Sequence, residues 1–248
     1  MAISTNSIIH YTKTIESLKL ILEQGFKVKY CYENVKASEK GDIHAAFPMV
    51  SFCDIPLSQV KEHIESYGDY GIGLKKEWAK SKKLSPVLYF DKDSELINYI
   101  REEFERLNEK SKKKEIDFSD FEHIIKILAY SKNYEADLTR KEIVIKNYRF
   151  YNEREWRYVP NEADLNGAKP WVTKQNYNKD KSRYNDTLNH IRLAFDTNDI
   201  SYIIVKNESD IKDITQAIRN TFSDKCTMQE MEILLTRIIT TDQIIYDF

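Results

Sequence analysis

Glycine is scarce in this chain, and that limits its architecture more than any other feature. There are 6 glycines in 248 residues, and half of them crowd into the segment Tyr67-Gly68-Asp69-Tyr70-Gly71-Ile72-Gly73-Leu74. No glycine-rich phosphate loop of the Walker or dinucleotide-binding kind can be written, so a bound nucleotide would have to be held by side chains. The glycine cluster itself reads as a turn leading into a strand. The 16 tyrosines supply flat amphipathic surface that can pack in a core or stack on a ring-shaped ligand.

Bulk properties exclude several classes. Hydrophobic residues make up 41% and charged residues 31%, the balance of a globular chain with a highly charged surface. The formal net charge of −2 gives no overall pull toward nucleic acid or an anionic membrane. Lysine runs at 75–83 and 110–114 read as solvated faces, with a path for a nucleic-acid backbone as the alternative. Cys31, Cys53 and Cys226 are odd in number and share no metal spacing, which speaks against a disulfide framework and for a reducing cytoplasm. His63, His123 and His190 have no ligand spacing, so no metal is expected. The start Met1-Ala2-Ile3-Ser4-Thr5-Asn6 is not a signal peptide, and no apolar run has the length of a membrane span.

Periodicity outlines the elements. Residues 7–11 read as a strand, and Thr14 as the cap of a helix carried by Ile15, Leu18, Ile21 and Leu22 and stopped at Gly25. Residues 28–35 and 48–55 read as strands with a polar loop between them. A helix follows to about Tyr67, another covers 75–80, and a strand covers 86–90. Residues 94–108 place Leu96, Ile97, Ile100, Phe104 and Leu107 on one helical face, and 118–131 form a second amphipathic helix. Strands are expected at 143–145, 148–159, 193–195 and 200–205, with an irregular loop over 161–184. Helices at 210–222 and 228–238 follow. With about eight short strands among helices, the fold class is α+β, in a single domain over 1–248 with a helical insertion at about 93–131.

Chemistry concentrates in Tyr151-Asn152-Glu153-Arg154-Glu155-Trp156-Arg157-Tyr158. If this run is a strand, Glu153 and Glu155 share one face while Arg154 and Trp156 point to the other. Like charges side by side are costly without a use for them. A ribosyl-transferring enzyme has that use, because a carboxylate steadies an oxocarbenium-like transition state. A solvated edge strand with alternating charges is the alternative.

Four segments stand in order: His10-Tyr11-Thr12, the run Met49 to Leu57 that contains Ser51-Phe52-Cys53-Asp54-Ile55-Pro56, the Tyr67–Leu74 turn, and Glu153-x-Glu155-Trp156-Arg157. This order resembles the ADP-ribosyltransferase fold, a split antiparallel β core. The chain also resembles the AbiGi abortive-infection family through these segments and through the closing Ile238-Ile239-Thr240-Thr241-x-Gln243-Ile244-x-x-Asp247-Phe248. The resemblance implies an NAD-dependent ADP-ribosyltransferase toxin of an anti-phage system, with NAD as co-substrate. Its target would be a macromolecule, RNA before protein, and a neutralising antitoxin its partner. It further implies that Glu155 stabilises the ribosyl cation, that Glu153 positions the nucleophile, and that His10, beside Tyr11 and Thr12, bonds the ribose. Ser51 would shape the nicotinamide pocket, Tyr67 or Tyr70 would stack on the ring, and Arg157 or Arg154 would clamp the pyrophosphate. The AbiGi name also carries an antitoxin label, which implies the alternative of a non-catalytic binding protein, an antitoxin or sensor. RNA 2′-phosphotransfer to NAD ranks last, because the first strand offers a single His where that chemistry asks for several phosphate-binding residues.

Overall fold

A computed structural model describes residues 4–39, 41–140 and 143–248. The tripeptide Met1-Ala2-Ile3, read above for a targeting signal, lies outside the described residues. The architecture is mixed α+β, as the periodicity implies, and the chain divides into two compact units. Met1–Lys27, Ser51–Leu84 and Arg192–Phe248 form the first, and Val28–Val50 and Ser85–Ile191 the second, where the sequence suggests one domain.

The first unit is a sheet flanked by helices. The strand Ser7–Thr12 pairs antiparallel with Tyr70–Lys75, placing His10 opposite Ile72 and Thr12 opposite Tyr70. Ile9 also faces Cys53 on the other side. Tyr70–Lys75 continues to Ile200–Val205, which takes Ile238–Thr240 as a parallel neighbour. The helix Ile15–Gln24 begins where the Thr14 hydroxyl accepts the Ser17 N–H and ends at Gly25, as the sequence suggests. Gly68 is needed as glycine: its φ is +124°, and a Cβ there would sit 2.3 Å from the Thr12 carbonyl oxygen. Ile214, Ile218 and Phe222 recur every four residues along Ile211–Phe222 and are buried together. A second apolar cluster gathers Ile9, Tyr11, Ile55, Ile64, Ile204 and Ile244.

The second unit pairs Lys29–Val35 antiparallel with the 43–49 stretch of the strand Ile43–Cys53. That strand starts inside the segment expected to be loop, because Ile43, Ala45 and Phe47 alternate onto the core side. The helices Glu95–Lys112 and Phe118–Ala129 lie where the periodicity expects helices. Their buried seam uses Ile97, Phe104, Phe121, Ile125 and Leu128, each side chain contributing about 1.5–3 kcal/mol by burial. Leu96 is exposed, because it stands one position round the helix from the Ile97, Ile100, Phe104 and Leu107 row. The expected loop over 161–184 instead holds the helices Glu162–Leu165, Lys174–Lys179 and Lys181–Asp186, begun by the side chains of Asn161, Thr173 and Asp180. They are too short to show an apolar period.

Candidate functional site

The glutamate run is not one strand. Phe150–Glu153 forms a 3₁₀ turn, Arg154 takes a left-handed φ of 42°, and the strand Glu155–Tyr158 begins only after it. The expected alternation therefore fails at Arg154. The two carboxylates nonetheless converge, because the turn swings Glu153 back toward Glu155. Lys132, on the strand Ser131–Asn133, donates from Nζ to Glu153 Oε2 at 2.7 Å and to Glu155 Oε2 at 2.8 Å.

Arg157 completes the cluster. Its side chain is fully buried, and its Nε donates to Glu155 Oε1 at 2.7 Å. Nη2 donates to Glu33 Oε1 at 2.8 Å and to Glu155 Oε2 at 3.1 Å, while Nη1 donates to the Ala129 carbonyl at 2.6 Å. Tyr148 Oη donates to Glu153 Oε1 at 3.1 Å, and the Glu155 N–H donates to Tyr89 Oη at 2.9 Å. Three carboxylates thus face two cations inside the second unit.

Proton affinities follow from that imbalance. Burial alone would push Glu155 up, but Arg157 and Lys132 outweigh it and hold the carboxyl far below its usual range. Burial works against the Lys132 charge too, and Glu155, Glu153 and Glu33 overcome it, so the ammonium holds its proton well beyond the usual range. Glu33 goes the other way: burial, added to by Glu155 and Glu153, prevails over Arg157 and Lys132 and raises it. Burial and the Glu33 charge push the neighbouring Cys31 thiol up to about 12.

Glu153 and Glu155 are only 4% and 7% exposed. To meet a ligand, Glu155 would have to leave both Arg157 and Lys132. Arg157 has the geometry of an internal ion-pair partner, and a pyrophosphate clamp would need it at a surface. Trp156 is half-buried.

The other expected site residues belong to the first unit. His10 is half-buried, and its Nδ1 donates to the Ser51 carbonyl at 2.8 Å. Its ring meets Phe26 and Phe52 edge-on at 5.2 and 5.6 Å. Tyr11 is buried, which raises its hydroxyl's pKa well above the ordinary tyrosine value. Thr12 ends the strand beside it. Tyr67 stacks on His63 at 4.2 Å, and Tyr70 Oη donates to Asp210 at 3.1 Å. Strand pairing thus gathers His10, Tyr11, Thr12 and Tyr70 in the first unit, with Ser51 bonded to His10, while Glu153, Glu155 and Arg157 gather in the second. Sequence reasoning missed Lys132, Glu33 and Tyr89. Lys132 lies more than 20 residues before the glutamates, and no local pattern marks it. Among the described residues, no group of three or more His, Cys, Asp or Glu is placed to hold a metal ion, and no helix is long and apolar enough to cross a membrane.

Comparison with known proteins corrects the functional expectation. A family model described as "Putative abortive phage resistance protein AbiGi, antitoxin" matches residues 24–206. The "Abortive phage resistance protein AbiGi" of Lactococcus lactis subsp. cremoris is 26% identical over 221 residues, covering 81% of this chain and 88% of that protein. No solved structure matches the chain, so the resemblance to the ADP-ribosyltransferase fold gains no support from that comparison. The family description names an antitoxin, which overturns the reading as an ADP-ribosyltransferase toxin and removes the reason to invoke NAD and an RNA target. With the family model spanning most of its length, the chain belongs to the AbiGi family.

Proposed function

We propose that this protein is the antitoxin of an abortive-infection pair, and that it acts by binding its toxin, without catalysis of its own. The observation that carries this reading is the inward engagement of Glu153 and Glu155 by Lys132 and Arg157. Carboxylates that would serve a ribosyl transfer are tied into an ionic core. Such a core suits a protein whose task is to hold a surface in one shape. The antitoxin description of the family supports the same reading.

Depletion of the protein from its host tests it. Growth should arrest and recover when a plasmid copy is supplied, and suppressor mutations should inactivate the toxin gene and so identify it. The purified toxin should then form a stoichiometric complex with this chain. Unimpaired growth on depletion would refute the proposal. So would growth arrest on expression of this chain alone, relieved by Glu155→Gln.

A further inference from the structure

An aromatic surface is built onto the ionic cluster of the second unit. The ring of Tyr89 meets Tyr151 edge-on at 5.3 Å, and Tyr151 meets Tyr134 at the same separation. The Arg149 guanidinium lies 5.7 Å from the centre of the Tyr134 ring. Tyr134 and Tyr151 remain 37% and 46% exposed. The cluster holds this surface from beneath, through Tyr89 Oη on the Glu155 N–H, while the Tyr151 N–H donates to the Tyr134 carbonyl. Tyrosine and arginine on a rigid base are the residue types that dominate binding energy at protein interfaces.

The adjoining hairpin adds an open edge. Ala136–Arg140 and Ile143–Tyr148 pair only with each other among the described residues. Val144 and Ile145 point to opposite faces of their strand, and both are exposed, at 49% and 41%. A strand with exposed residues on both faces and, among the described residues, one edge unpaired is a template for strand addition. Charge narrows the partner. From Tyr134 to Arg154 the sequence holds five basic and four acidic residues, with Glu153 buried, Lys146 paired with Asp137 at 2.7 Å and Arg149 with Glu135 at 3.5 Å. The whole chain carries −2, so this is a local positive surplus on an acidic protein.

We propose that the Tyr134–Tyr151–Arg149 surface, with the open edge of Ile143–Tyr148, docks an acidic extended segment of the toxin. This rests on the antitoxin reading and names the surface it uses. Nucleic acid fits less well, because exposed aliphatic residues give phosphate nothing to contact and the net charge of −2 adds no overall pull.

The test measures binding of the purified toxin, identified by the suppressors above, to the full-length chain by calorimetry. Tyr151→Ala and Tyr134→Ala should each weaken binding about 30-fold. Arg149→Glu and Val144→Asp should weaken it further at low salt. Tyr246→Ala, 82% exposed in the first unit, should bind like wild type. Unchanged melting temperatures establish that the variants are folded. Wild-type affinity in all the patch variants, with wild type itself binding tightly, would overturn the docking surface and leave the antitoxin reading standing. Absence of binding by wild type would overturn both. Patch-dependent binding of a mixed-sequence 20-nucleotide RNA, with toxin binding unmoved, would show that the surface serves nucleic acid and overturn the proposal.

Discussion

Replacing Arg157 by Met isolates the contribution of the ionic core. The guanidinium makes four hydrogen bonds, three to the carboxylates of Glu155 and Glu33 and one to the Ala129 carbonyl, from a fully buried position. Methionine fills similar volume, so cavity formation is minor and the loss is electrostatic. Three carboxylates would then face Lys132 alone. Removing one partner of a buried ion pair costs about 3–5 kcal/mol, because the other charge is left buried without compensation. At a slope of about 2 kcal/mol per molar urea, the unfolding midpoint of this unit should fall by about 1.5–2.5 M. Trp156 and Trp171 both lie in the second unit, so tryptophan fluorescence in a Trp78→Phe background reads that unit directly. Adding Glu155→Gln to Arg157→Met removes a stranded charge, so the pair should lose about 1–3 kcal/mol less than the sum of the singles. A midpoint shift below about 0.5 M for Arg157→Met would refute the view that this cluster is a structural core.

Glu33 tests the surplus of negative charge. Its carboxyl is raised in the folded state, so its stabilising contribution is complete below about pH 4.3 and is lost as pH rises through the folded value. Glu33→Gln should therefore match or exceed the wild-type melting temperature at pH 7, with the difference shrinking in acid; a large loss at pH 7 would contradict this. Gly68→Ala should lower the melting temperature well beyond Gly41→Ala, because both glycines have positive φ but a Cβ meets backbone only at Gly68. Strain alone accounts for about 1–3 kcal/mol at each position, and equal losses would refute the clash. With a thiol-reactive dye at pH 8, half-buried Cys226 should label first. Cys31 is half-buried as well, but burial pushes its thiol up to about 12, so it should label more slowly than Cys226.

Elements fixed by neighbouring residues were legible in the sequence. Thr14 and Gly25 bound their helix because capping acts over three or four residues, and the insertion helices announce their buried seam through 3.6-residue spacing. Elements whose signals are too short for periodicity were not legible. The helices within 161–184 had only their capping side chains to mark them, and the Asn161–Asp164 capping box was the clearest sign available. The site was legible only in part, for a different reason. That Glu153, Glu155 and Arg157 belong together was visible, and all three are in the cluster. Their direction was not, because it turns on the left-handed Arg154 and on Lys132, brought in by a strand pairing no local pattern encodes.

The interleaving of the two units sets an order of assembly. Every segment of the second unit has been synthesised by Ile191, whereas the first still lacks Ile200–Val205 and Ile238–Thr240 at that point. During translation the 7–12 and 70–75 strands must wait with one edge open while more than 120 further residues emerge. The Thr241 hydroxyl, donating to the Asp69 carbonyl, can close this unit only once the 172 residues that separate the pair have been made. A copy interrupted late in synthesis would carry a finished ionic core and an unfinished first unit, and quality-control proteases select chains in that condition.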